Sequence, residues 1–397
     1  MTQSQSTQLS LLMFIILGAI GALTPLAIDM YLPAMPSIAK ELGVEAGAVQ
    51  ITLTTYTAGF AIGQLLHGPL SDSYGRRPIL LAGIFLFAIG SILCAVSSDI
   101  ESLKYIRAAQ GFSGAAAAVI IQAVVRDMFD KEDFARTMSF ITLVMMVAPL
   151  IAPMLGGHLA EWFGWRSIFW VLTFVSGVVI AAVMWKIPET LAVEKRQPLR
   201  FKTTMQNYMR LCTNPVAMGL IFSGAFSFAG MFAFLTAGSF VYIDIYGVNP
   251  SDFGYLFGLN IICLTLMTSL NGRIVKKMGS KWMLAFGISI QLIAGIALFF
   301  GWLADIGLWG IVPFVMLYIG TMSTIGSNSM ALLLTNYPSM AGTASSLAGT
   351  LRFGTGSIIG VVVAMLPSGN SAWPMILVMT LCAVCSAAMY WFLGKKA

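Results

Sequence analysis

Apolar stretches long enough to cross a lipid bilayer recur twelve times along this chain. They lie near residues 9–33, 48–70, 78–97, 103–125, 136–158 and 165–187, and again near 213–238, 252–272, 282–303, 309–334, 341–366 and 372–394. A membrane helix needs about 20 apolar residues, because its backbone N–H and C=O groups must be satisfied inside the segment when no water is present. Twelve such segments take up about 240 residues of a chain of 397, which leaves short loops and no sizeable soluble catalytic domain. Composition agrees, with 58% hydrophobic and 10% charged residues against about 45–50% and about 25% in soluble domains. A globular enzyme, a disordered chain and a nucleic-acid binder are all excluded on these grounds. The predicted fold class is all-α integral membrane.

The net charge of +6 is read through its distribution between loops, since Lys and Arg concentrate on the cytoplasmic side of membrane proteins. With a cytoplasmic N-terminus, the cytoplasmic loops and ends collect 17 of the 22 Lys and Arg residues. Only Lys40, Lys104 and Arg166 fall on the other side, and Arg107 and Arg352 fall inside spans. Both termini are therefore expected in the cytoplasm. The polar start of the chain lacks the basic region of a cleaved signal peptide, so the first span is expected to stay. Cys94, Cys212, Cys263, Cys382 and Cys385 have no ligand-rich neighbours and read as packing residues. No metal site and no cofactor are expected.

The longest polar stretch, residues 188–212, divides the chain into halves of similar length, 1–187 and 213–397. A feature recurs between them. The run from Gly68 through Gly75 and Arg77 to Leu80 aligns with the run from Gly272 through Gly279 and Lys281 to Leu284, and each joins the second and third spans of its half. Two six-helix bundles of this kind are expected to enclose a midplane site that opens alternately to either side.

The run Gly68-Pro-Leu-Ser-Asp72-Ser-Tyr-Gly75-Arg76-Arg77-Pro78 resembles the cytoplasmic loop motif G-x-L-x-D-x-x-G-R-R of the major facilitator superfamily. In the fourth span, Leu103-Lys-Tyr-Ile-Arg107-Ala-Ala-Gln110-Gly111 is similar to its L-x-x-x-R-x-x-Q-G motif. In the fifth, Ala148-Pro-Leu-Ile-Ala152-Pro153-Met-Leu-Gly156-Gly157 looks like the G-x-x-x-G-P-x-x-G-G helix-packing signature of drug exporters, with alanines at two glycine positions. The run Ala27-Ile-Asp29-Met-Tyr31-Leu-Pro33-Ala-Met-Pro36 resembles the bicyclomycin and chloramphenicol resistance branch of proton-driven drug antiporters. The resemblance implies the major facilitator fold of twelve transmembrane helices in two six-helix bundles. It also implies export of small antibiotics in exchange for protons, with a first-span carboxylate as proton carrier.

Asp29 is the one carboxylate placed inside a span, and a charge at membrane depth is retained chiefly where it has a task. Arg107, Gln110, Gly111 and Gly114 share one face of the fourth span, so Arg107 reads as a partner of Asp29 or a substrate contact, or else as a structural hydrogen-bond hub. Arg352 lies ten residues into the eleventh span, about 15 Å along a helix and so close to the midplane. Tyr31, Tyr56, Gln64, Gln110, Gln122, Phe226, Asn260, Asn328 and Arg352 are candidates for a mixed apolar and hydrogen-bonding cavity. Tyr31, Tyr56, Gln64, Gln122, Asn260 and Asn328 each also read as helix-packing glue, and Arg352 as a cation solvated by backbone carbonyls along a glycine-loosened helix. Of the pairs Phe222–Phe226 and Phe228–Phe232, at least one is expected to face lipid. Asp72 can face the positive end of the eleventh helix near Met340, and the family resemblance implies that Gly68, Asp72, Gly75, Arg76 and Arg77 form a latch between the halves.

Two positive charges inside the spans against at most one negative argue for neutral, zwitterionic or weakly anionic substrates rather than permanent cations. The resulting expectation is a monomeric, proton-coupled drug exporter of the cell inner membrane. Its partners would be drugs, protons and lipid, with no nucleic acid. The rival is a proton-symport importer of a small metabolite or osmolyte with the same fold.

Overall fold

The structure, a computed structural model, describes residues 11–128, 131–196, 201–367 and 371–396. Residues 1–10 of the polar start and 197–200 of the predicted linker lie outside that set. The described residues fold into helices joined by short turns, without strands. In chain order the α-helices are α1 (Leu11–Asp29), α2 (Met35–Leu42), α3 (Ala46–Tyr74), α4 (Arg76–Val96), α5 (Ile100–Met128), α6 (Lys131–Phe163) and α7 (Arg166–Lys186). There follow α8 (Phe201–Cys212), α9 (Pro215–Ser239), α10 (Pro250–Met278), α11 (Ser280–Leu303), α12 (Gly307–Asn336), α13 (Ala341–Met365) and α14 (Trp373–Phe392). All but α2 and α8 are long, and each long helix falls on one predicted span.

Length and composition alone qualify ten segments among the described residues as membrane-crossing. The other two long helices are α3, which is more polar, and α6, whose residues 137–160 carry no Asp, Glu, Lys or Arg. α3 buries Gln50, Thr52, Thr54 and Thr57 against other helices rather than offering them to lipid, and the first turns of α6 carry Lys131, Glu132, Asp133 and Arg136.

The first span ends earlier than its apolar run suggests. Pro33 and Pro36 cannot donate to a continuing helix, so α1 stops at Asp29, a 3₁₀ turn spans Leu32–Ala34, and α2 follows until Gly43 at φ 62° closes it. At its other end α9 widens into a π-helical segment, Phe240–Ile245.

The internal repeat is visible in backbone geometry. Gly75 and Gly279 reverse the chain between α3 and α4 and between α10 and α11, at φ 106° and 82°. Their N–H groups donate to Ser71 O at 3.1 Å and Val275 O at 2.9 Å. A side chain at either position would be strained.

The long helices from α1 to α7 pack mainly among themselves, as do those from α9 to α14, and the two groups meet along α3 with α13 and α6 with α10. Both seams lie towards the face opposite the one carrying the chain ends. In the first, the Ser357 hydroxyl donates to Thr54 O at 2.8 Å and Gly360 packs on the Thr54 methyl. In the second, Gly157 lies so close to α10 that a Cβ there would overlap the Pro250 carbonyl oxygen.

Candidate functional site

Between the two groups of helices, on the face carrying the termini, lies a cavity of about 710 Å³, within the range of small-molecule sites. Its mouth is formed by Gly68, Asp72 and Arg76 where α3 meets α4, by Arg126 at the end of α5, by Tyr208 of α8, and by Gly342 and Thr343 at the start of α13. Its inner end is formed by Gln64 of α3, Gly326 and Ser329 of α12, and Gly349, Arg352 and Phe353 of α13. Beyond that end an aromatic cluster joins the halves. Phe353 packs on Phe60 at 4.6 Å between ring centroids and on Phe228 at 4.9 Å, and Phe228 packs on Phe232 at 5.2 Å.

Three of the predicted cavity residues line this space: Gln64, Gln122 and Arg352. Arg352 lays its guanidinium over the Phe228 ring, 4.2 Å from the centroid, and its Nε is buried without a hydrogen-bond partner.

Tyr31, Tyr56 and Gln110 are placed elsewhere, in a buried hub around Arg107, which is fully buried. The Arg107 guanidinium sits 4.7 Å and 4.3 Å from the Tyr31 and Tyr56 ring centroids. It donates to Gln110 Oε1 at 2.7 Å and to the Ala27 carbonyl at 3.2 Å. Gln110 in turn donates to Ser91 Oγ at 2.7 Å, and Tyr31 shares a 2.7 Å hydrogen bond with Thr52. Desolvated cation–π contacts of this sort contribute about 2 kcal/mol. Such an arrangement keeps a charge inside the protein without a carboxylate, and tall polar side chains are drawn inward to satisfy it. The approach of α3 to α5 that builds it depends on Gly111, where a Cβ would overlap the Tyr56 carbonyl oxygen.

Asp29 is buried at the end of α1 and outside the cavity wall. Arg107 reaches the carbonyl of Ala27, two residues away, yet the two charges form no ion pair among the described residues. Asn328 donates to Asn271 Oδ1 at 2.7 Å and so ties α12 to α10. Asn260 is buried in α10 with its Nδ2 unpartnered, and Phe226 stacks on Phe222 at 5.8 Å. Neither phenylalanine pair is exposed: Phe228 and Phe232 are buried, and Phe222 and Phe226 half-buried.

The loop motif builds a charged cluster at the cavity mouth. Arg76 is buried; it pairs with Asp72, donates from Nε to Asp127 Oδ2 at 3.2 Å, and donates to Ser71 Oγ at 2.8 Å. Arg77 turns away and donates to the Met184 carbonyl at 2.7 Å. Asp72 is thus held within its own half, with the start of α13 forming another part of the mouth. Sequence reasoning missed Glu189. Its carboxylate accepts from the backbone N–H groups of Arg76 and Arg77, at 3.0 and 3.3 Å, where the α4 dipole favours negative charge. It also missed Tyr208, whose hydroxyl shares a 3.1 Å hydrogen bond with Ser346. A Glu directly after Pro188 at a span end was the available signal for the first; nothing in the spacing marked the second.

In α6, Ala148, Ala152, Pro153, Gly156 and Gly157 are all buried. Gly156 lies against the Met30 carbonyl of the first half and Gly157 against α10 of the second. Small residues here serve one contact within a half and one between halves.

Comparison with known proteins gives consistent results. The chain is 41% identical over 396 residues, 100% of its length and 98% of the relative's, to a bicyclomycin resistance protein homolog of Haemophilus influenzae. It is 30% identical over 375 residues, 91% of its length and 86% of the relative's, to a chloramphenicol resistance protein of Pseudomonas aeruginosa. Its fold matches the crystal structure of a D-xylose-proton symporter with a TM-score of 0.76 at 15% identity, over 97% of this chain and 98% of that one. The family model of the Major Facilitator Superfamily matches residues 17–361. A multi-pass, all-helical membrane protein with one cavity wall drawn from each half, this chain belongs to the Major Facilitator Superfamily.

Proposed function

We propose that the protein exports small drug molecules across the cell inner membrane in exchange for protons, as a monomer with both termini in the cytoplasm. The observation that carries this reading is the cavity of about 710 Å³, open on the face bearing the termini and walled by Gln64 from one half and Arg352 from the other. Relatives named for bicyclomycin and chloramphenicol resistance favour outward movement over uptake of a metabolite. With the positive-inside orientation, the described state is open to the cytoplasm and sealed on the periplasmic side along the α3–α13 and α6–α10 seams.

Transport then consists of rocking residues 1–187 against residues 213–397, with 188–212 as the cytoplasmic link. Asp29 is the proposed proton carrier, a buried acid without a cationic partner among the described residues. Arg107 holds the end of α1 in place beside it through the Ala27 carbonyl. Asp72, released from Arg76, is the proposed latch to α13 when the cytoplasmic side closes. Three arginines and one aspartate line the cavity, two of those arginines lie beside Asp72 or Asp127, and Arg352 has no ion pair among the described residues; that balance favours neutral, zwitterionic or weakly anionic drugs over permanent cations. Reconstitution into vesicles with an imposed pH gradient and a panel of antibiotics tests the proposal. Gradient-dependent accumulation of a phenicol against its own concentration is the expected result; facilitated, gradient-independent equilibration would defeat it.

A further inference from the structure

Among the described residues, the cavity wall holds one arginine without an ion pair. Arg76 is bound by Asp72 and Asp127, and Arg126 lies 3.9 Å from Asp127. Arg352 has no ion pair among the described residues, and its Nε lacks any hydrogen-bond partner. Keeping a guanidinium without a counter-charge inside a membrane protein is costly, and a counter-charge brought by a ligand offsets that cost.

The surroundings have the form of a receptor. On α13, Gly349, Arg352 and Phe353 follow one another at helical spacing and all line the cavity. The Gln64 side chain from the other half packs its amide oxygen onto Gly349, one turn before Arg352. Across from it, Gly326 of α12 leaves its side open, since a Cβ there would lie 3.8 Å from an Arg352 terminal nitrogen. Stacking on Phe228 fixes one face of the guanidinium, and its edge keeps the paired N–H geometry that matches a carboxylate. Phe353, which lines the cavity, presents aromatic surface beside it, suited to an aromatic ring.

We propose that the inner end of the cavity is an anion-receiving subsite, in which Arg352 of one half and Gln64 of the other together hold the carboxylate, or a similarly compact oxyanion, of an aromatic ligand. The inference rests on the exporter reading for the ligand's route, and narrows it from tolerance of weak anions to a dedicated contact for them. Because the two residues come from different halves, the ligand's acidic group bridges the halves directly against the Phe60–Phe353 contact that seals the cavity.

The test uses the purified full-length protein and a matched pair of probes, naphthalene-2-carboxylate and naphthalene-2-carboxamide, titrated by intrinsic fluorescence or calorimetry. Wild type is expected to bind the carboxylate about tenfold more tightly than the amide, the scale of a hydrogen bond to a charged group. Arg352→Gln should erase that preference by weakening the carboxylate more than the amide, and Arg352→Lys should keep part of it by retaining charge without the planar fork. Gln64→Leu, which leaves the cation in place, should reduce the preference about threefold by removing a hydrogen bond from a neutral donor to the carboxylate, and serves if the Arg352 variants fail to fold. Absence of a preference in wild type, equal loss for both probes in Arg352→Gln, or an unchanged preference in Gln64→Leu would each overturn the subsite. Drug transport in vesicles is measured separately. Carboxylate preference without drug transport would keep the subsite and defeat the exporter reading, and drug transport without the preference would do the reverse.

Discussion

At the scale of single residues, two ionisable groups inside the spans have different surroundings. Asp29 is buried without a cationic partner among the described residues, whereas Arg107 is enclosed by Tyr31, Tyr56, Gln110 and a backbone carbonyl. Asp29→Asn keeps the size and removes the exchangeable proton, so pH-driven uphill export should fall to the level of protein-free vesicles. Drug binding, measured on the purified variant, should stay within about twofold because Asp29 is not part of the cavity wall. Export that persists in the Asn variant would return the carrier role to another group. Arg107→Gln should remove about 2 kcal/mol of cation–π stabilisation, a loss of about 4–8 °C in the melting temperature followed by tryptophan fluorescence. The sequence marked both residues as unusual by their charge within apolar runs. It placed Gln110 on the face of Arg107, but could not tell that Tyr31 and Tyr56 would turn towards Arg107 rather than towards the cavity. Which face of a helix looks inward depends on the neighbour packed against it, and these neighbours are far away in sequence.

At the scale of elements, helix number and order were legible because each span must be apolar along its length, while ends and interruptions depended on single residues. Pro33 and Pro36 stop α1 at Asp29 and set α2 apart, a break that the unbroken apolar run concealed. α2 is anchored at its far end by Glu41, which accepts from Trp165 Nε1 at 2.9 Å and pairs with Arg166. The same reasoning explains the small residues of α6. Gly157→Val would drive a branched side chain into the Pro250 carbonyl and the Ser251 Cα, and relief of such overpacking costs about 1–3 kcal/mol. Separation of α6 from α10 is the cheapest relief. In a cysteine-free background, an impermeant thiol reagent applied to the side opposite the termini should therefore label a Ser357→Cys reporter faster in the Gly157→Val protein. Equal labelling rates would show that the overlap is absorbed within one half.

At the scale of the whole molecule, the pseudo-symmetry announced by the aligned Gly75 and Gly279 loops is carried by the backbone alone. Among the described residues the first copy carries a cluster of ion pairs and charged caps, with Asp72, Arg76, Asp127 and Glu189, which holds the cavity mouth from one half. Asp72→Asn should weaken its closure by about 0.3–1 kcal/mol, the worth of an exposed contact with a helix dipole. The turnover rate should then drop more than drug affinity, and a Ser346→Cys reporter in the cavity should stay more open to labelling from the cytoplasmic side; unchanged labelling would count against the latch. One consequence concerns fidelity. Asp29 sits near the sealed end of α1 while the cavity opens at the other face, with the aromatic cluster of Phe60, Phe353, Phe228 and Phe232 closing its inner end. On the proposed reading, drug and proton never contend for one spot, so neither has to evict the other. The exchange ratio is then a matter of which partly loaded forms are permitted to turn over. A machine of that design slips: an idle transporter should dissipate some of the pH gradient with no drug aboard, at a rate that rises as the two seams are loosened.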